Sequence, residues 1–245
     1  MIMSRLLLTL ILFCVSISAG AIDGDSILKQ VDRNLAPESY EMYRKIINFQ
    51  PDGTKKEFVL YTVKKGRENM LALFLSPASD AGRTTLRIGD NMWLYIPEVG
   101  KPLRITSLQS VVGGIFNNSD LMRIEYSAEY DVASLKESGG KYILSLRAKP
   151  NQSVAYDKLE MQVDKATLLP TTINAYAASG MLIKSLTFKK IKDFGDGIVR
   201  PSVLETTSPL YVGFKASILF AELKRRSFAD EVFTLNFMPR VKELR

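Results

Sequence analysis

About eleven short segments rich in β-branched and aromatic residues follow one another along this chain of 245 residues, each bounded by turn signals. Pro51-Asp52-Gly53 is one such turn, because proline presets one backbone angle and glycine accepts a positive φ. Gly89-Asp90 indicates a tight hairpin between two strands. Neither a linker nor an internal repeat divides residues 22–245. We therefore expect one mainly β (α+β) domain, built on an antiparallel sheet that curls.

Two regions interrupt the strand pattern and predict helices. The first follows Asp25, a plausible N-cap, and ends before Pro37, because the residue preceding a proline avoids helical angles. In the middle of the chain, helix-start signals occur at Ser107 and at Ser119 or Asp120, and Asp131–Ser138 is expected to be a short helix or turn. We expect the N-terminal and mid-chain helices to cover the concave face of an incompletely closed barrel.

The first 21 residues have the layout of a cleaved secretory signal. Arg5 precedes an apolar run from Leu6 to Ile17, and Ala19-Gly20-Ala21 supplies small residues at the cleavage site. The run is short for a membrane span, which needs about 20 residues. We expect cleavage after Ala21 and export of residues 22–245 to the periplasm.

Composition narrows the chemistry that such an exported domain performs. The chain has no histidine, and its single cysteine, Cys14, lies within the predicted signal. Histidine triads, thiol catalysis and the usual zinc or copper sites are therefore excluded from residues 22–245. We predict no catalytic residues, no metal and no cofactor, and the protein is expected not to be an enzyme. A hydrolase that works through carboxylates alone is the least favoured alternative.

The net charge of +7 is mildly basic. An anionic lipid surface or an acidic partner would account for it, and so would solubility alone. No nucleic-acid-binding motif is present in the sequence.

Two predicted strands are apolar on both faces, whereas a strand with one wet face should alternate polar and apolar residues. They are Met70–Leu75 and Asn91–Ile96. Packing under a helix explains this pattern, and so does a cavity that large side chains line and an apolar ligand fills. The predicted cavity-lining residues are Phe74, Met92, Trp93, Leu94, Tyr95 and Met161. Alternation leaves two options open on the second strand, with either Trp93 and Tyr95 or Met92 and Leu94 facing the cavity.

The segment Ile88–Thr106, IGDNMWLYIPEVGKPLRIT, resembles a hairpin of the LolA/LolB-like lipoprotein-localisation superfamily, in which a turn precedes a W-x-Y-x-P strand. Trp93, Tyr95 and Pro97 form that pattern here. The "outer membrane lipoprotein-sorting protein" branch is the most similar one, through the segments Tyr156–Pro170, Asp193–Pro201 and Phe228–Arg240. The resemblance implies a strongly curved, unclosed half-barrel whose concave side holds acyl chains under helices.

The function that this resemblance implies is a periplasmic carrier of lipid, lipoprotein acyl chains or another hydrophobic molecule. Its implied partners are a resistance–nodulation–division (RND) type inner-membrane exporter and an outer-membrane acceptor. The alternative is a non-enzymatic module that docks on such an exporter without carrying cargo. A carrier needs a lid that opens, and Val111–Asn118, with Gly113 and Gly114, is the predicted hinge. Arg44 and Arg104 are candidates, by position, for an arginine that contacts cargo.

Overall fold

The computed structural model of the chain describes residues 23–123, 125–150, 152 and 154–245, so the predicted signal at 1–21 lies outside the described residues. Thirteen antiparallel strands in these residues form a single sheet, rather than the expected eleven or so. Their bounds are β1 Tyr40–Phe49, β2 Lys55–Lys65, β3 Asn69–Ser76, β4 Thr84–Ile88, β5 Asn91–Tyr95, β6 Pro102–Ile105, β7 Tyr130–Ser138, β8 Lys141–Ala148, β9 Lys158–Asp164, β10 Pro170–Tyr176, β11 Leu182–Asp193, β12 Val199–Thr207 and β13 Lys215–Arg225.

The order of the strands in the sheet is β6-β5-β4-β3-β2-β1-β13-β12-β11-β10-β9-β8-β7. The first and last strands of the chain therefore pair at the centre of the sheet. The two edge strands, β6 and β7, are consecutive in the chain and do not pair with each other. The sheet is consequently unclosed, as predicted, and residues 106–129 must connect its two edges.

The two faces of the sheet carry separate apolar clusters. On one face, side chains from near both edges, such as Met92 of β5 and Leu144 of β8, belong to the same buried cluster. Strands so far apart in the sheet order meet only if the sheet curves around this cluster, so this face is the concave one. The cluster on the other, convex face involves only strands near one end, including Leu71 of β3 and Leu86 of β4.

Helices cover the concave face, as the sequence predicts. They are α1, Gly24–Leu35; α2, Asn118–Leu121; and α3, Tyr126–Glu129. The N-cap of α1 is Asp23 rather than the predicted Asp25, because the Asp23 carboxylate accepts the backbone N–H of Ser26 at 2.7 Å. Ile27, Leu28 and Val31 of α1 are buried in the concave cluster. Within the described residues, no helix combines the length and apolarity needed to cross a bilayer.

Two local predictions about the middle of the chain are wrong. Asp131–Ser138, expected to be a helix or turn, belongs to β7, where its helix-forming residues pair with β8 at an exposed sheet edge. Ser107 does not begin a helix. It lies in a turn, and its carbonyl accepts the N–H of Ser119 at 3.0 Å. In both places, long-range pairing outweighs local propensity.

Two consecutive 3-10 helices, Asp230–Phe233 and Leu235–Leu244, cover part of the convex face. Phe237, Met238 and Val241 are buried there against β2, β3 and β4. This cover explains why β3 is apolar on both faces: one face meets the helices of the concave side and the other meets the C-terminal segment.

Replacing Met238 by alanine should destabilise the protein by about 2–5 kcal/mol, because the side chain is fully buried in the convex cluster. Trp93, the only tryptophan, packs against the same cluster, so its emission should shift to the red at lower denaturant concentration. Met181→Ala is the matched control, since Met181 is 51% exposed. Equal unfolding midpoints for the two variants, measured by tryptophan fluorescence, would contradict this packing.

Candidate functional site

The connection between the two sheet edges folds over the concave face, and we call residues 107–123 the lid segment. A reciprocal capping box starts its helix α2: the Asn117 side chain accepts the N–H of Asp120 at 3.0 Å, and the Asp120 carboxylate accepts the N–H of Asn117 at 3.1 Å. Asn118 also donates to the carbonyl of Thr106 at 2.8 Å. These bonds hold a helix of four residues in one orientation over the sheet.

A lysine from the sheet holds the middle of the lid segment. Lys184 of β11 donates to the carbonyl of Ile115 at 2.6 Å and pairs with Asp120 at 2.7 Å. Both side chains of the pair are buried. The Tyr156 hydroxyl donates to Asp120 at 2.9 Å and accepts from Asn117 at 3.0 Å. Burial raises the pKa of Tyr156, so its hydroxyl stays protonated and serves as a donor.

Arginines hold the end of the lid segment. Arg44 of β1 donates to the carbonyl of Leu121 at 2.6 Å, and Arg87 of β4 donates to that of Met122 at 3.1 Å. Arg87 also pairs with Glu129 of α3 at 2.8 Å, and Arg123 pairs with the same carboxylate. Buried ion pairs of this kind define geometry more than they add net stability, because desolvation offsets much of their attraction.

The predicted hinge meets β1 at one close contact. Gly113 has a φ of +69°, which favours glycine. Gly114 lies so near Asn48 that a Cβ built on it would stand 2.4 Å from the Asn48 Oδ1. Neither polar atom of the buried Asn48 amide has a hydrogen-bond partner among the described residues. The lid segment in this position therefore keeps an unsatisfied amide beneath it, which is costly.

Two openings between the sheet and its cover contain residues predicted to line a cavity or to contact cargo. The smaller one, which we call the inner cavity, has a volume of about 90 Å³. Tyr40, Arg44, Arg200 and Phe220 line it, together with residues of α1, α2 and α3. Burial lowers the pKa of both arginines to about 10, so both remain charged at neutral pH.

The larger opening, which we call the outer groove, has a volume of about 480 Å³. Its apolar lining consists of Phe74, Leu94, Leu103, Ile105, Val111 and Val112. Arg83, Thr85, Arg104 and Gln109 are among the polar residues around it. Helix α2 separates the two openings, since Asn118 lines the outer groove and Leu121 lines the inner cavity.

The structure places the predicted cavity residues in three environments. Phe74 and Leu94 line the outer groove, and Met92 is buried in the concave cluster. Trp93 and Tyr95 instead pack on the convex cluster, so of the two options on β5 the concave side is that of Met92 and Leu94. Met161 is buried in the concave cluster and lines neither opening. Whether any of these residues binds a ligand stays a prediction, as does the hinge at Gly113 and Gly114.

The two arginines singled out by position lie in different openings. Arg44 lines the inner cavity, whereas Arg104 lines the outer groove, and its guanidinium lies 5.9 Å from the Trp93 ring centroid. Sequence reasoning missed Lys184 and Arg200. The sequence contains a signal for Lys184. It lies two residues before the buried Leu186 on β11, and residues two apart on a strand face the same side of the sheet. Among the described residues, no group of three or more His, Cys, Asp or Glu side chains is placed to hold a metal.

Comparisons with known proteins agree on the fold. A family model described as an uncharacterized protein family matches residues 66–240. Comparison with curated proteins gave no match. A LolA superfamily protein from Nitrosomonas europaea superposes with a TM-score of 0.80 at 24% identity, over 89% of this chain and 100% of that one.

Two further solved structures are similar. A DUF1329 family protein from Desulfovibrio piger has a TM-score of 0.77 and 21% identity, over 88% of this chain and 97% of its own. A domain assigned to outer membrane lipoprotein sorting, from Vibrio parahaemolyticus, has a TM-score of 0.74 and 19% identity, over 89% of this chain and 98% of its own. The predicted LolA/LolB-like fold is thereby confirmed.

Replacing Gly114 by alanine should push the lid segment away from β1, because the new Cβ would collide with the Asn48 amide. We expect a loss of about 1–3 kcal/mol in stability, the range for an overpacked site. Amide hydrogen exchange of residues 115–123 should quicken. Adding Asn48→Ala removes the colliding group, so the double variant should recover slow exchange. Unchanged exchange in Gly114→Ala would contradict the contact.

Proposed function

We propose that this chain, which belongs to the family of uncharacterized proteins whose model matches residues 66–240, is a periplasmic carrier of hydrophobic molecules. It has the fold of the LolA superfamily. Its cargo would be lipid, lipoprotein acyl chains or another molecule with an extended apolar part, and no covalent chemistry is required. Phe74 and Leu94 would contact this cargo, and Met92 would do so once the core beneath the lid segment loosens.

The observation that carries this proposal is the outer groove. Its volume of about 480 Å³ lies within the range of roughly 300–1,000 Å³ that is usual for ligand pockets. Aliphatic residues of β5, β6 and the lid segment line it. An open apolar groove against a segment that contains two consecutive glycines is suited to an acyl chain that enters from the side.

The means of holding the lid segment also support a carrier. Lys184 and Arg44 bind the lid segment through hydrogen bonds and an ion pair, all of which water can replace when the segment lifts. The amide of Asn48 would gain partners at the same moment, since it has none among the described residues in the closed state. Both effects lower the cost of opening, with Gly113 and Gly114 as the hinge.

The free energy of moving an acyl chain from a bilayer into the groove limits what such a carrier does in the cell. Burying about ten methylenes in a dry groove is worth roughly 8 kcal/mol relative to water, at about 0.8 kcal/mol for each CH₂. A bilayer offers nearly the same free energy, so the carrier cannot extract lipid unaided. We expect cargo to arrive from an energised donor at the inner membrane and to leave for an acceptor at the outer membrane.

Leu103→Asp should weaken binding of a fluorescent fatty-acyl probe by about tenfold or more, because it places a carboxylate in the apolar groove. Ile191→Asp is the matched control, since Ile191 is also an exposed aliphatic residue of a strand and does not line the groove. Fluorescence titration gives both affinities.

Lipid bound during expression provides an independent test of the carrier. Protein purified without detergent should release lipid into organic solvent, as measured by mass spectrometry, and Leu103→Asp should release less than Ile191→Asp. A wild-type protein that releases no lipid and binds no acyl probe is not a carrier.

A second candidate function is docking on a membrane exporter of the RND type without cargo. The observation that favours it is the turn between β12 and β13, where Leu210, Tyr211 and Val212 are all exposed and Val212 has 84% of its surface in solvent. Lysines 55, 56 and 215 are exposed at the same end of the sheet. An apolar loop tip among basic residues is typical of a surface that contacts a membrane or a membrane protein.

Under this second function, Val212→Asp should abolish co-sedimentation with inner-membrane vesicles that retain their proteins, whereas Met181→Asp, another exposed residue in a turn at that end, should have less effect. Wild-type protein should not sediment with vesicles made from the extracted lipids alone. Equal sedimentation with both kinds of vesicle would reject docking on an exporter.

A further inference from the structure

The inner cavity contains two buried arginines that lack acidic partners. Arg44 and Arg200 are 4% and 6% exposed, and neither forms an ion pair with a carboxylate of the described residues. They lie side by side on the concave face: Arg44 is opposite Phe220 in the β1–β13 register, and the Arg200 guanidinium lies 4.5 Å from the Phe220 ring centroid. Two like charges are thus held together away from water.

Each guanidinium has N–H groups that make no hydrogen bond within the described residues. Arg44 makes three hydrogen bonds, two to Thr62 Oγ1 and one to the carbonyl of Leu121. Arg200 makes two, to the carbonyls of Leu35 and Pro201. Since a guanidinium has five N–H groups, two remain on Arg44 and three on Arg200. The Tyr40 hydroxyl, which lines the same cavity, makes no hydrogen bond within the described residues.

The acidic residues around the cavity do not neutralise this pair. The Asp32 carboxylate accepts the backbone N–H groups of Tyr126 and Ser127 at 2.7 and 2.8 Å. Asp120 pairs with Lys184, and Glu125 pairs with Arg67 at 2.7 Å. The two positive charges of Arg44 and Arg200 therefore remain uncompensated, which is costly for buried ions unless something else supplies the negative charge.

We propose that Arg44, Arg200 and Tyr40 form a binding site for an oxyanion, a phosphate or carboxylate group, carried at the end of an amphiphile whose apolar part occupies the carrier's groove. Arginine forks match the geometry of both groups and bind them through paired N–H···O bonds. The amphiphile part rests on the carrier function proposed above. Helix α2 borders both the inner cavity and the outer groove, so lifting the lid segment would bring the two together into one site with a charged end.

The test compares ligands that share one alkyl chain and differ at its end. Isothermal titration with dodecyl phosphate, dodecanoate and dodecanol should show the two anions binding about tenfold or more tightly than the alcohol. Arg200→Met, which keeps an unbranched side chain against Phe220, should remove this preference and leave dodecanol binding unchanged. Arg104→Met is the matched control, because Arg104 lines the outer groove, and it should retain the preference.

Tyr40→Phe keeps the test decisive if Arg200→Met fails to fold, since it removes only a hydroxyl. It should weaken dodecyl phosphate binding about threefold or more without altering that of dodecanol. Equal affinities for all three ligands in the wild-type protein would overturn the oxyanion site but not the proposed carrier function. Failure of dodecanol and both anions to bind would overturn the carrier itself.

A titration with inorganic phosphate alone separates the two sources of the oxyanion. We expect no heat from phosphate at concentrations where dodecyl phosphate saturates the protein. Binding of free phosphate that Arg200→Met abolishes, with no gain from the alkyl chain, would assign the site to a free anion and overturn the amphiphile.

Discussion

A sheet of thirteen strands that does not close leaves its concave face open, and the rest of the structure follows from how that face is covered. The two edge strands are consecutive in the chain, so the segment that joins them must cross the opening. This connecting segment is thus attached at both edges of the sheet, and the helices described within it, α2 and α3, have four residues each. A connection of this kind is suited to being a lid, because it can lift without unpairing any strand.

Two kinds of contact hold the two parts of the cover. Helix α1 is anchored by buried aliphatic residues such as Leu28 and Val31, whose exposure to water would be costly. The lid segment also buries Phe116, Leu121 and Met122 in the same concave cluster, and in addition its carbonyls and Asp120 bind Arg44, Arg87 and Lys184 of the sheet. Polar contacts of this kind are exchangeable with water. We infer that α1 is a permanent part of the core, and that the lid segment lifts only when cargo replaces the apolar contacts of its buried side chains.

The elements predicted well are those whose pattern is local: the turns, the first helix and the strands with regular alternation. Strand β7 was missed because its edge position leaves most side chains in solvent, so DVASLKES has no apolar alternation to display. The two-sided apolarity of β5 was detected, but its face could not be assigned until the C-terminal segment was placed against Trp93 and Tyr95. Arg200 escaped notice because its partner in the site, Arg44, is 156 residues away in the sequence and two strands away in the sheet.

Arg44 belongs to both the lid contacts and the inner cavity, and this shared position has a mechanical consequence. The guanidinium that donates to the carbonyl of Leu121 is the one that, with Arg200, would bind an oxyanion. An anion that draws Arg44 toward itself weakens the bond to α2, and a lid segment that lifts frees Arg44 for the anion. Binding and opening would then favour each other, as linkage requires of two events that use one group. A charged end on the cargo would in this way serve both to hold it and to release the segment that blocks its path.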